Sequence, residues 1–168
     1  AMSDDFWYIR KTAVSNTKKL AKIRPESTFA RLKLLAEKDP KSSVRAAAIN
    51  ALSSHFEEKI ELSFLNKRAE DRSFKVVSAC LDAIYAKDKN AGISKAQELE
   101  KVENSSLLLT IASIYAVEGK AKRGEFFEST LENTTGFNKY HLLVSYGEFL
   151  EKQGDKVIEQ ALPSLTKN

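Results

Sequence analysis

The chain has 168 residues, enough for one ordinary domain, and a body of that size buries roughly 70% of the surface its unfolded form exposes. Hydrophobic residues at 42% and charged residues at 30% exclude a disordered tail, and no run approaches the roughly 18 to 20 apolar residues of a membrane-crossing helix. The 27 Lys and Arg against 23 Asp and Glu give a charge of +4, spread in mixed-sign groups such as Glu57-Glu58-Lys59 and Lys87-Asp88-Lys89. Binding to a phosphate backbone needs a one-sided basic block instead, so neither nucleic acid nor membrane is expected as a partner.

In chain order, Ala1-Met2-Ser3-Asp4-Asp5 carries no basic or apolar signal region. Ala1 ahead of Met2 reads as a cloning remnant, so residues 1–3 are expected to be such a remnant or an unordered start, with a single domain over residues 4–168. Phe6, Trp7 and Tyr8 form an aromatic cluster that is expected to pack a terminal repeat or face an upstream domain. Glu26 to Lys38 reads as an amphipathic helix, after which Asp39-Pro40 supplies an N-cap and a proline at the first helical position. Val44, Ala47, Ala48, Ala51 and Leu52 then follow the i, i+3, i+4, i+7, i+8 spacing of one helical face.

That segment recurs. Asp39, Val44, Ala47, Ile49, Ala51 and Leu52 superpose on Asp71, Val76, Ala79, Leu81, Ala83 and Ile84, and again on Asn104, Leu109, Ala112, Ile114, Ala116 and Val117. A partial earlier copy sets Asp4, Ile9, Arg10, Ala13 and Val14 on Asp39, Val44, Arg45, Ala48 and Ile49, and a weaker last one holds Leu142, Ser145, Phe149 and Leu150. Glu57 to Glu70, Ala91 to Val102 and Lys122 to Asn133 read as partner helices between them. Gly119 and Gly154 mark helix ends, Gly147 inside a helix predicts a close helix contact, and Pro163 is expected to end or kink the last helix. Strand signals are nearly absent. One helical hairpin cannot bury its apolar face alone, whereas stacked neighbours share a core, so the expected fold is all-α: an α-α superhelix of about five hairpins. Ala47, Ala48, Ala51, Ala79 and Ala83 should let inner helices approach closely, and Ala47→Leu should overpack them.

The string Asp39-Pro40-Lys41-Ser42-Ser43-Val44-Arg45-Ala46-Ala47-Ala48-Ile49-Asn50-Ala51-Leu52 resembles the second helix of a HEAT repeat. The resemblance implies that Arg10, Asp39 and Arg45 link neighbouring hairpins, and that Val77, standing where the next arginine would be, breaks the series. Leu107-Leu108-Leu109-Thr110-Ile111-Ala112-Ser113-Ile114-Tyr115, Phe126-Phe127-Glu128 and Asn133-Thr134-Thr135-Gly136-Phe137-Asn138-Lys139-Tyr140 are similar to the C-terminal helical domain of bacterial aminopeptidase N family zinc metallopeptidases. That similarity implies a domain that caps the active-site chamber of an upstream catalytic domain in the same polypeptide and limits peptide access. It places zinc in the parent enzyme.

No catalytic, cofactor-binding or metal-ligating residue is assigned to this chain. A zinc peptidase needs H-E-x-x-H on one helix, and the two histidines, His55 and His141, are far apart with no following glutamate. His55 reads as a packing residue or a partner of a helix C-terminus, and His141, beside Tyr140, similarly. Glu57-Glu58 reads as charge at a helix start rather than an acid/base pair. Phosphate-binding loops and nucleophile elbows are missing. The single Cys80 lies on an apolar helical face and is expected to be buried and inert. Two further readings are a free-standing repeat scaffold with a protein partner and, from the pI near 9.0, a nucleic-acid binder or base-repair enzyme. No compartment is indicated.

Overall fold

The computed structural model describes residues 1–166, and among them every regular element is a helix. In chain order these are α1 (Trp7–Ser15), α2 (Lys18–Ile23), α3 (Pro25–Lys38), α4 (Ser42–Phe56), α5 (Leu62–Arg68), α6 (Phe74–Lys87), α7 (Lys89–Leu99), α8 (Ser105–Glu118), a 3-10 turn (Ala121–Arg123), α9 (Gly124–Glu132), α10 (Gly136–Leu150) and α11 (Asp155–Thr166). The five copies read from the sequence fall on α1, α4, α6, α8 and α10, an all-α helical-repeat fold. The chain divides into two compact units, Ala1–Gly92 and from Ile93 onward.

In unit 1, α4 packs against α1, α3 and α6, and α5 packs against α6. The alanine stripe explains why α4 can serve three neighbours: Ala46, Ala48 and Ala51 are buried on α4, and Ala79 and Ala83 on α6, between larger residues such as Val44, Ile49, Leu52, Val76 and Ile84. Ala47 is only partly buried, so the tight position is Ala48. Cys80 is fully buried in this core, and burial pushes its thiol up to about 12. The start of the chain is held down. Arg31 on α3 donates to the Met2 carbonyl (2.7 Å) and to Ser3 Oγ (2.8 Å), and Met2 packs on the core.

Four local expectations change. Asp39 ends α3 instead of starting α4, which begins at Ser42; its carboxylate accepts from the Lys41 N–H (2.9 Å), and the proline at a first helical position is Pro25. Glu57 and Glu58 follow the C-terminus of α4, so they do not complement a helix start. The partner helix shrinks to Leu62–Arg68 because the Lys59 and Ile60 N–H groups fold back on the Phe56 carbonyl and Ile60 is buried. The close backbone contact lies at Gly92, not Gly147. A Cβ at Gly92 would sit 2.4 Å from the Tyr85 Cα, whereas Gly147 has open space around it.

In unit 2, α10 packs against α8, α9 and α11. Its core is aromatic: Phe127 stacks on Tyr146 (4.9 Å between centroids, 11° between planes), Phe149 lies beside them, and Tyr115 meets Phe126 edge to face at 5.1 Å. Gly119 closes α8 in the left-handed region (φ 65°), a conformation glycine adopts without strain. Gln153 and Lys152, following α10, donate to the Gly119 and Ala116 carbonyls at 2.9 and 2.5 Å. Helix α11 runs through Pro163 to Thr166, so the proline does not end it.

Candidate functional site

The buried charges of unit 1 repeat one geometry. Arg10 sends Nε to Asp39 Oδ2 (2.7 Å) and Nη2 to Oδ1 (3.0 Å), and Arg45 forks in the same way onto Asp71 at 2.8 Å for both bonds. The remaining donor of each arginine turns back to its own repeat: Arg10 Nη1 to the Asp4 and Asp5 carbonyls (2.8 and 2.9 Å), Arg45 Nη1 to those of Asp39 and Pro40 (2.8 and 3.3 Å). Each aspartate also receives the N–H two residues on, Lys41 for Asp39 and Ser73 for Asp71, both at 2.9 Å. Burial by itself raises both carboxyls, but the arginine fork and the N–H outweigh it and hold them below the usual carboxylate range. These bidentate pairs connect successive repeats and engage four of the five N–H donors of each arginine. The next rung lacks both members, since Val77 replaces the arginine and Asn104 the aspartate; Asn104 instead caps α8 by accepting from the Leu107 N–H (3.1 Å).

Unit 2 has its own charged knot. Arg123, in the 3-10 turn, donates Nε to Glu118 (2.8 Å), lies 3.5 Å from Glu100 and covers the Tyr115 ring at 4.2 Å. Lys120 completes the Glu118 pairing at 2.9 Å, and the Tyr115 hydroxyl donates to Glu100. Burial works against the Glu118 charge, yet Arg123 and Lys120 keep its carboxyl low; burial and then Glu100 push the Tyr115 hydroxyl far above its ordinary value. A tyrosine so held stays protonated and acts as a donor. Beside the knot an open groove of about 480 Å³ is lined by Lys101, Glu103, Asn104, Ser129 and Asn133 among others.

The surface feature that the sequence reading overlooks is on α10. Phe137 and Tyr140 are 74% and 59% exposed, their rings stacked at 5.8 Å, and His141 meets Phe137 edge to face at 4.6 Å. Val144, one turn on, is exposed as well. Residues 137, 140, 141 and 144 follow the i, i+3, i+4, i+7 rule, while Leu142, Tyr146, Phe149 and Leu150 fill the core from another face. So α10 has two apolar faces, and the expected single aromatic cluster at Phe6-Trp7-Tyr8 has a counterpart. His55 sits half-buried in the last turn of α4, in the other unit. Among the described residues no three His, Cys, Asp or Glu side chains gather. Compared with known protein families and with curated proteins, the sequence matches none.

Proposed function

We propose that this chain is a non-catalytic helical-repeat domain of a zinc aminopeptidase, capping the active-site chamber and limiting which peptides reach it. The metal and the reacting groups belong to a catalytic domain elsewhere in the same polypeptide. The observation that carries this reading is how charge is used: Arg10, Arg45 and Arg123 are each closed onto carboxylates that fasten helices. Of the segments similar to the peptidase domain, Leu107, Ile111, Tyr115, Phe126 and Phe127 are buried in the core while Phe137 and Tyr140 stay on the surface. The test is the gene sequence upstream of this chain together with assays on residues 1–168. The reading requires H-E-x-x-H upstream, and no peptidase activity and no stoichiometric zinc in the isolated chain; an upstream region without that motif, or turnover by the isolated chain, ends it.

A second reading, a free-standing protein-binding scaffold, is favoured by the exposed Phe137, Tyr140 and His141 cluster, since contiguous exposed aromatics mark interaction surfaces. Its test is recovery of one stable partner that is lost with Phe137→Ser and Tyr140→Ser together.

A further inference from the structure

The first repeat of unit 1 contains every part of the ladder except one. Asp4 Oδ1 accepts from the Phe6 N–H at 2.9 Å, as Asp39 does from Lys41 and Asp71 from Ser73. The Asp4 carbonyl receives Arg10, as the Asp39 carbonyl receives Arg45. What Asp39 and Asp71 have and Asp4 lacks, among the described residues, is an arginine forked onto the carboxylate from the preceding repeat.

The apolar positions show the same difference. Val44 and Val76 are fully buried, whereas Ile9, at the matching position, is 42% exposed. Ala51 and Ala83 are buried, and their counterpart Asn16 is exposed. Ala1, Tyr8, Ile9, Thr12, Ala13 and Asn16 line an open groove of about 330 Å³ along α1, and Tyr8 and the neighbouring Phe6 are each 56% exposed. A helix face with an i, i+4 apolar stripe is complementary to another helix, and an aspartate already oriented by its own turn is complementary to a guanidinium.

We infer that this face of α1 is a docking surface for one further helical hairpin of the same repeat, whose inner-helix arginine forks onto Asp4 as Arg10 forks onto Asp39. The occupant is defined by the repeat geometry, so the inference stands independently of the peptidase reading. Its charge, its spacing and the apolar stripe it covers are all set by the two rungs already filled.

The probe is one more copy of the chain's own repeat, residues 39–70, joined directly ahead of Asp4. The copied Arg45 then stands to Asp4 as Arg45 stands to Asp71. The extended chain is expected to unfold roughly 4 °C or more above the 168-residue chain. Emission from Trp7, the only tryptophan in either protein, should move to shorter wavelength as Phe6 and Tyr8 are covered. Asp4→Asn keeps an oxygen for the Phe6 N–H but loses the ion pair, and should remove at least half of that gain. Arg45→Gln in the added copy should do the same, and exchanging the two charges, Asp4→Arg with Arg45→Asp in the added copy, should restore it. Equal midpoints for the two chains, or an Asp4→Asn effect of the same size with and without the added repeat, would overturn the inference. So would a dimer of the 168-residue chain that Tyr8→Ser dissociates, which would assign the face to a second copy.

Discussion

In unit 1 the helices meet through alanines and β-branched residues, and charge pairs between residues 29 and 26 apart in sequence join successive repeats; in unit 2 stacked aromatic rings fill the core, and Arg123 pairs with Glu118 five residues away. The difference separates two ways of fixing a helix. Small side chains allow close approach but little specificity of register, and the bidentate Arg–Asp rungs supply the register. Large rings bring apolar area and a preferred geometry of their own, and the charged knot of unit 2 ties the turn after α8 to Glu118 and to Glu100.

Removing a ring from the centre of the unit 2 core should have the greatest effect. Phe127→Ala deletes a fully buried side chain that stacks on Tyr146 and touches Phe149, and should cost about 3 to 5 kcal/mol in denaturant unfolding. Next comes the ladder: Asp39→Ala strands the Arg10 guanidinium and should cost about 3 kcal/mol, whereas the pair Arg10→Met and Asp39→Leu should recover most of that loss. A paired variant as unstable as the single one would show that the rung stabilises through more than charge balance. The alanine contact is tested by Ala48→Leu, expected to cost about 1 to 3 kcal/mol, with a smaller effect at the partly buried Ala47.

The smallest effect concerns acid. Because Asp39 and Asp71 have depressed values in the folded chain, the unfolded chain takes up their protons first as pH falls. Their stabilisation is complete above the ordinary aspartate value of about 3.9 and disappears as pH drops through the lower folded values. Helix content followed during acid titration should fall less steeply in an Asp39→Asn, Asp71→Asn protein than in the parent. Identical acid limbs would mean that other carboxylates govern the transition.

The repeat was legible in the sequence because periodic burial leaves a periodic pattern: Val44 and Val76, or Ala51 and Ala83, answer one another at a constant offset and are all buried. The linking role of Arg10 and Asp39 was legible for the same reason, through the copies. Features without copies were not. Asp39-Pro40 has the composition of a helix start, yet the demand of the Arg10 fork places Asp39 in a turn before one. Gly147 and Gly92 both sit inside helices, and sequence carries no record of which one has Tyr85 against it. The knot of Glu100, Tyr115, Glu118 and Arg123 joins the segment after α7 to α8 and a 3-10 turn, with no repeating counterpart. The α10 surface cluster did leave a signal, the spacing of 137, 140, 141 and 144, but it was masked by the stronger stripe of the core face.

Cys80 gives the molecule a clock. It is the sole thiol, sealed between helices and protonated at neutral pH, so a thiol reagent can modify it only in the instants when unit 1 breathes wide enough to admit solvent. The pace of that labelling counts those instants directly, without any probe being added to the chain.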